Sequence, residues 1–254
     1  MAPQKQGAND ARLGQGYREM AQDVEREREA LEWCEALIGD SFIVDIPSLI
    51  ARVERTQDGF ADIRAAAGEV MAAPSVADKP ALAHELYRSE VHQARMLAIF
   101  LFGHLAAAHP DILTFLRDTV SRDPDWRAQE ILAMAFDRFC GTGHGQGDTG
   151  YEAALPVIRD WLADPSPNVR RAVTEGLRIW TSRPYFKQHP EVAVALIAAH
   201  HADDSEYLRK SVGNALRDIS RKHPDLVRAE LDRWDRSDKK VALTYKLAAK
   251  FLDR

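Results

Sequence analysis

One five-residue pattern occurs three times in this chain and limits the folds that the chain can adopt. Each copy is a histidine, a proline, an acidic residue and two aliphatic residues, at residues 109–113, 189–193 and 223–227. Proline is tolerated at the first position of a helix, and an acid just after it favours the positive end of the helix dipole. Each copy therefore predicts a helix start. The copies lie 80 and 34 residues apart, which indicates stacked helical units, with one unit that lacks the signature inside the longer gap.

A second feature also occurs three times, at residues 123–127, 164–170 and 203–209. Each copy is an acidic or proline-rich turn followed by an apolar residue and an arginine. Together the two features describe a helix, a turn and a helix in each unit, as in HEAT arrays. No segment alternates β-branched and aromatic residues, so no strand is predicted. The predicted fold is all-α: a right-handed superhelical HEAT-like repeat solenoid of antiparallel helix pairs.

Composition and charge narrow the class of protein. Hydrophobic residues make up 45% and charged residues 29% of the chain, as in a folded globular protein. The longest apolar runs are far shorter than the roughly 20 residues that cross a bilayer, and residues 1–20 contain no apolar signal core. We therefore expect a cytoplasmic protein with no membrane partner. The two cysteines, Cys34 and Cys140, are predicted to be reduced, buried thiols.

The net charge of -5 is unevenly distributed along the chain. Residues 1–62 hold 7 Lys/Arg against 13 Asp/Glu, whereas residues 165–222 hold 10 Lys/Arg against 6 Asp/Glu. We predict acidic N-terminal helices over residues 1–62, packed on a HEAT-like repeat domain over residues 63–254, the whole forming one continuous domain. A basic surface is expected locally in the second half of the chain.

Polar stripes run opposite the apolar stripes of three predicted helices. Residues at i, i+4 and i+7 of a helix share a face, and equivalent helices of a solenoid are parallel, so their polar stripes should line one concave surface. Ordinary solvated faces with ion pairs between neighbouring turns are the alternative. The apolar stripes are Leu132, Ala135, Phe136 and Phe139; Val169, Val173, Leu177 and Trp180; and Leu208, Val212, Leu216 and Ile219. The polar stripes contain Trp126, Glu130 and Asp137; Arg171, Glu175 and Arg178; and Lys210, Asn214, Arg217 and Arg221.

This mixture of side chains suits a cationic alkylated purine in DNA. Alkylation at N3 or N7 puts a positive charge on the base and weakens its glycosidic bond, so the leaving group needs no protonation. A carboxylate near the sugar would stabilise oxocarbenium character and orient the attacking water. An indole face would attract the cationic base by about 0.5–2 kcal/mol. Arginines would hold the flanking phosphates.

Two segments of the chain resemble DNA alkylation repair glycosylases of the AlkC/AlkD type. Residues 168–178 are similar to the Val-Arg-Arg-x-x-Ser-Glu-Gly-x-Arg segment of AlkC-type proteins, and residues 205–224 look like the following repeat of both types. The resemblance covers roughly residues 88–231. It implies that Glu175 and Glu130 are the active-site acids, that Arg171 faces DNA, and that Trp126 is the aromatic that faces the lesion. It also implies excision of alkylated purines without complete base flipping, and no metal or organic cofactor.

The chain also departs from the family pattern. The second lesion-facing tryptophan of AlkD-type proteins corresponds to Asn214 in this chain, and an asparagine has no π face. AlkC-type proteins also carry an asparagine at this position. Residues 179–186 differ from the AlkC-like Pro-x-Leu-Pro-Trp segment. The superfamily also contains members that bind DNA without detectable excision.

Three functions therefore follow from the sequence, in order of preference. The first is a monomeric DNA N-glycosylase for cationic N3/N7-alkylpurines in double-stranded DNA, with Glu130 and Glu175 as catalytic acids. In this hypothesis Trp126 faces the lesion, and DNA is bound by Arg171, Arg178, Lys210, Asn214 and Arg217. The second is a catalytically silent module that binds branched or damaged DNA. The third is a HEAT-type protein-interaction scaffold, which the net negative charge favours.

Overall fold

A computed structural model describes residues 45–56, 59–142 and 150–252 of the chain. Within these ranges the protein is helical and contains no strand, which confirms the all-α repeat fold. Two short 3-10 helices cover Val120–Arg122 and Ala249–Phe251. The α-helices are α1 (Ile46–Glu54), α2 (Phe60–Ala72), α3 (Lys79–Tyr87), α4 (His92–Leu105), α5 (Pro110–Asp118), α6 (Trp126–Gly141), α7 (Gly150–Ala153), α8 (Leu155–Leu162), α9 (Pro167–Trp180), α10 (Pro184–Gln188), α11 (Pro190–Ala198), α12 (Glu206–Ser220), α13 (Pro224–Leu231) and α14 (Lys239–Ala248).

The histidine–proline signature begins a helix at each of its three positions, as predicted. Helices α5, α11 and α13 start at Pro110, Pro190 and Pro224, each directly after the histidine. Proline fits there because its fixed φ is helical and its missing N–H belongs to the unpaired first turn. A purely local rule thus fixes the start of three helices.

The helices form two rows of different length. The long-helix row consists of α4, α6, α9, α12 and α14, which have 10 to 16 residues and contact one another in that order. The short-helix row consists of α3, α5, α8, α11 and α13, each with 8 or 9 residues. Helices α1 and α2 pack on α4. The long helices α6, α9 and α12 carry all the predicted site residues.

Aspartates in the turns before the long helices shape those turns. The carboxylates of Asp123, Asp164 and Asp203 each accept a hydrogen bond from the backbone N–H two residues further on, at 2.9, 2.7 and 2.9 Å. Such a bond closes an Asx turn, which directs the chain into the following helix. The aspartates of the turns recognised in the sequence therefore have a structural role.

Arginines near the start of the long helices, such as Arg170 six residues after Asp164, bind the turns of two neighbouring units. Arg170 donates to the carbonyl oxygens of Asp164 and Pro165, at 2.6 and 3.0 Å, and its other nitrogen reaches the Asp203 carboxylate of the next turn at 3.0 Å. Arg95 does the same at the start of α4 and reaches Asp123 at 3.2 Å. The recurrent turn and arginine thus link one unit to the next.

The core runs between the two rows as one continuous cluster. Phe136 of α6 stacks on Trp161 of α8 with ring centroids 4.2 Å apart, and most residues of the predicted apolar stripes are buried beside them. Cys140 is a buried free thiol, as predicted, and burial raises its pKa. The side chain of Trp180 and the other cysteine, Cys34, lie outside the described part of the chain.

The acidic N-terminal region falls mostly outside the described residues, because the description begins at residue 45. Helix α2 runs through residue 62, where the sequence suggested a boundary, and the division of the chain at that point stays a prediction. No helix among the described residues is long and apolar enough to span a membrane.

Candidate functional site

The predicted site residues lie at matching levels on three adjacent helices. Glu130 on α6, Arg171 on α9 and Lys210 on α12 each follow the aspartate of their own turn by seven residues. Because α6 and α9 contact each other side by side, Glu130 and Arg171 meet across this contact, whereas Lys210 pairs with Glu206 of its own helix. Residues at equal distances from their turns can therefore lie close together on neighbouring helices.

Glu130 and Arg171 form a buried ion pair between α6 and α9. A terminal nitrogen of Arg171 donates a short hydrogen bond to Oε1 of Glu130. Each residue is only 6% exposed, although the polar stripe was expected to face solvent. Helices α6 and α9 each cover the flank of the other's polar stripe, so Glu130 and Arg171 pair with each other rather than with water. Removing one partner of such a pair typically costs 3–5 kcal/mol.

Glu175 belongs to the same network, one turn further along α9. It is 5% exposed. Arg178 donates to Oε2 of Glu175 at 2.6 Å and to Asp218 of α12 at 2.7 Å. Ser211 of α12 also hydrogen-bonds Glu175. The two predicted acids therefore converge on the same cluster of arginines.

The environments of the two glutamates shift their pKa values in opposite directions. Burial raises the pKa of Glu130, and the nearby charge of Glu175 adds to the rise, against the opposing effect of Arg171. Burial would also raise the pKa of Glu175, but Arg178, Arg171 and Ser211 together lower that pKa below its ordinary value. Paired carboxylates with divergent pKa values are the arrangement that supports separate acid–base and electrostatic roles.

Two exposed aromatic rings flank this network. Trp126, at the first residue of α6, is 55% exposed, and the guanidinium of Arg127 lies 4.9 Å from its ring centroid. Tyr207, near the start of α12, is 57% exposed, and the guanidinium of Arg171 lies 4.6 Å from its ring.

Sequence reasoning missed Tyr207 and Asp218. Tyr207 lay within the third turn signature without a role of its own, although it is the second residue of α12, close to the register of Trp126 at the start of α6. Asp218 lay between the stripes of α12 and gave no signal of its own, yet it binds both Arg178 and Arg217.

The predicted DNA-binding residues differ in how accessible they are. Lys210 is exposed, with Glu206 as an ion-pair partner at 2.7 Å on the same helix. Asn214 is half-buried, and Arg217 is half-buried with its guanidinium 3.1 Å from Asp218. Arg178 is engaged by two carboxylates. The network thus sets three arginines, Arg171, Arg178 and Arg217, against three acids, Glu130, Glu175 and Asp218.

The described residues hold no group of three or more histidine, cysteine or carboxylate side chains placed to bind a metal ion. The chemistry available in the network itself is that of carboxylates, guanidinium groups, a hydroxyl and two aromatic rings.

The stacked helix pairs make this chain a HEAT-like repeat protein that concentrates charged residues between three neighbouring long helices. Comparison with known proteins agrees with that class. The family model described as DNA alkylation repair enzyme matches residues 59–251. The chain therefore belongs to the DNA alkylation repair enzyme family.

Solved structures and a curated relative support this membership. The crystal structure of AlkD2 from Streptococcus mutans is 46% identical, with a TM-score of 0.73, over 83% of this chain and 100% of that one. The structure of smu.31 from Streptococcus mutans UA159 is also 46% identical, with a TM-score of 0.72, over 82% of this chain. YhaZ of Bacillus subtilis (strain 168), described as uncharacterized, is 38% identical over 166 residues, which is 55% of this chain but only 46% of that relative's length.

Proposed function

We propose that this protein is a DNA N-glycosylase that removes cationic N3- or N7-alkylpurines from double-stranded DNA. The observation that carries the proposal is the convergence of Glu130 and Glu175, with opposite pKa shifts, on Arg171. The exposed Trp126 lies one helical turn before Glu130 on α6. Membership of the DNA alkylation repair enzyme family supports the choice of substrate. In this proposal the protein is a monomer in the cytoplasm and uses no metal or organic cofactor.

The two carboxylates take different roles in the proposed reaction. Glu175, whose lowered pKa keeps it ionised, stabilises the positive charge that develops on the sugar as the bond from C1′ to the purine nitrogen breaks. Glu130, whose pKa is raised, accepts the proton of the water that attacks C1′. The bonding electrons pass to the purine, which leaves as a neutral alkylated base and needs no general acid.

Trp126 and Arg171 account for substrate binding in the proposal. The exposed indole offers its face to the cationic base, an attraction of about 0.5–2 kcal/mol. A guanidinium binds phosphate with the same two-pronged geometry that it uses for carboxylate. Arg171 therefore exchanges Glu130 for a backbone phosphate when DNA binds, and this exchange frees the carboxylate for the attacking water.

The test is release of methylated base from N-methylpurine DNA. We expect release by the wild type, and a loss of about 100-fold or more in Glu130→Gln and Glu175→Gln, the size typical of removing a catalytic base or a transition-state contact. Glu152→Gln is the matched control, because Glu152 is an exposed acid on α7, and it should keep wild-type activity. Equal release by all four proteins would remove both glutamates from the mechanism.

A DNA-binding measurement and a pull-down, together with the base-release assay, separate the other two functions. Salt-dependent DNA binding without any base release, weakened by Arg171→Ala or Lys210→Ala, would identify a DNA-binding module. Recovery of a protein partner in a pull-down, with DNA affinity no better than that of an acidic control protein, would identify a scaffold.

A further inference from the structure

A cavity lies beside α4 and α6 of the long-helix row, apart from the carboxylate network. It has a volume of about 450 Å³ and is lined by residues of α2, α4, α6, α7 and the start of α10. Met134, one helical turn after Glu130 on α6, lines its nearer side. Ligand pockets for small molecules typically measure about 300–1,000 Å³, so the cavity has room for a ligand larger than a single phosphate.

The charged groups that line the cavity are mostly positive. Arg64, Arg138 and Arg183 contribute to the lining, against one carboxylate, Asp137. His104 also lines the cavity, but burial together with the charge of Arg138 lowers its pKa to about 3. The histidine is therefore neutral at ordinary pH, and the described lining has an excess of two positive charges.

Asp137 holds one wall of the cavity in place. The hydroxyl of Tyr151 donates to Oδ1 of Asp137 at 2.8 Å, and Arg183 donates to Oδ2 at 2.9 Å. A Cβ added at Gly141 would lie 3.0 Å from the same hydroxyl. Gly141 and Tyr151 therefore pack closely at this wall. Asp137, the only acid in the described lining, already accepts hydrogen bonds from two donors.

The apolar part of the lining includes Phe100 of α4 and Met134 of α6. Phe100 is only 5% exposed, whereas Met134 is half-buried, so its thioether offers the polarizable surface on which a flat base can pack. Arginine has five N–H donors, so Arg138 and Arg64 can contact a phosphate in addition to the partners that they have within the protein.

We propose that this cavity binds a nucleotide, with its phosphate against Arg138 and Arg64 and its base against Met134. The ligand class follows from three features of the cavity: the excess of positive charge, the apolar part of the lining and the volume. The nucleotide is either a free nucleoside monophosphate or one nucleotide of a DNA strand. This binding does not depend on glycosidic-bond cleavage, so it stands or falls separately from the proposed enzymatic function.

The test is isothermal titration calorimetry of the full chain with deoxyadenosine 5′-monophosphate, deoxyadenosine and inorganic phosphate. We expect the monophosphate to bind with a Kd below ~1 mM and the other two at least ~10-fold more weakly, because each lacks one of the two contacts. Arg138→Gln and Arg64→Gln, on different helices, should each weaken binding of the monophosphate by ~10-fold, about the effect of one charged hydrogen bond. Arg159→Gln is the control, since Arg159 is exposed on α8 away from the cavity.

Competition identifies the source of the nucleotide. Displacement of the monophosphate by a DNA oligonucleotide assigns the cavity to a nucleotide within a strand, and lack of displacement assigns it to the free nucleotide. Absence of binding by the wild type up to ~10 mM would overturn the proposal, since this limit corresponds to less than ~3 kcal/mol of binding free energy. So would equal affinity of all three folded variants, with circular dichroism confirming that each variant is folded.

Discussion

The guanidinium of Arg171 has three distinct environments at once. One terminal nitrogen donates to Glu130, the flat face lies over the ring of Tyr207, and Nε is buried with no hydrogen-bond acceptor in the described part of the protein. A buried donor without an acceptor typically costs about 1–3 kcal/mol. An oxygen of a bound strand that reaches this nitrogen would remove the cost, and for this reason the proposed DNA contact is centred on Arg171.

The stack of Tyr207 on Arg171 gives a first prediction. Tyr207→Ala removes the ring and should lower the free energy of unfolding by about 0.5–1 kcal/mol, the size of a cation–π contact at an exposed site. Tyr207→Phe keeps the ring and should have little effect. Chemical denaturation of the three proteins measures the difference. Equal losses in both variants would assign the effect to the hydroxyl instead.

The lowered pKa of Glu175 gives a prediction about pH. A carboxyl group whose pKa is lower in the folded state stabilises that state above its ordinary pKa, and the contribution is lost as the pH falls through the folded-state value. Glu175→Gln should therefore destabilise the protein most near neutral pH, and its effect should shrink below pH 4.5, the ordinary value for this group. Denaturant unfolding from pH 7 to pH 3 tests this. A difference that stays constant over that range would contradict the assignment.

Between elements, the long helices approach each other closely where a glycine faces a neighbour. A Cβ at Gly213 of α12 would lie 2.6 Å from Cβ of Leu247 on α14 and 3.0 Å from the carbonyl oxygen of Thr244. Backbone and Cβ atoms cannot move aside as the end of a long side chain can. The absence of a side chain at this position therefore sets the spacing between the two helices.

Gly213→Ala should accordingly lower the free energy of unfolding by about 1–3 kcal/mol, because it overpacks the contact. Gly68→Ala is the matched control. A Cβ at Gly68, inside α2, would meet nothing within 4 Å, so the better helix propensity of alanine should stabilise the protein by up to about 1 kcal/mol. Thermal or denaturant unfolding compares the two, and opposite signs are expected. A stabilising Gly213→Ala would disprove the close approach.

The turns between units provide a second prediction at the scale of elements, from two adjacent aspartates. Asp203 caps its own turn and binds Arg170 of the preceding unit, with 11% of its side chain exposed. The side chain of Asp204 is 99% exposed, and it forms an ion pair with the exposed Lys240 at 2.6 Å. Asp203→Ala should cost about 2–4 kcal/mol, since the hydrogen bond of an Asx turn and a largely buried ion pair are lost together.

Asp204→Ala is the control for that substitution and should cost less than about 1 kcal/mol, as exposed ion pairs usually do. The measurement is again the free energy of unfolding at neutral pH. Similar losses for the two neighbouring residues would show that Asp203 does not join adjacent units.

For the whole molecule, the charge distribution limits which residues can contact phosphates in the proposed DNA complex. The chain carries a net charge of -5, and the arginines of the network are matched by acids, so the surface available to phosphates is smaller than the number of arginines suggests. Lys210 is exposed, and its pair with Glu206 is exposed as well, so this lysine can exchange its partner for a phosphate at little cost.

Lys210→Ala should therefore reduce the slope of log K against log salt for DNA binding by about 1, because one phosphate contact is lost. Arg159→Ala, on the short-helix row, should leave the slope unchanged. Fluorescence anisotropy at several salt concentrations measures both. An unchanged slope for Lys210→Ala would place the phosphate contacts elsewhere.

The sequence by itself determined the helices and the core. Prolines at residues 110, 190 and 224 fixed three helix starts, and the stripe of Leu208, Val212, Leu216 and Ile219 is buried as its period predicted. These features depend on local geometry: the fixed φ of proline, the dipole of a helix and 3.6 residues per turn. The polar stripes placed Glu130, Glu175 and Arg171 on one surface of the solenoid, and the resemblance to known glycosylases supplied their roles, which stay predictions.

Only the tertiary structure decided what those polar residues contact. Glu130 meets Arg171 across 41 positions of the chain, Tyr207 covers the same guanidinium, and Asp218 joins two arginines that the sequence assigned to DNA. The period of a single helix reveals which residues share a face. It contains no information on the rotation and spacing of the neighbouring helix, and these two quantities determine whether a charge faces water, a ligand or an opposite charge.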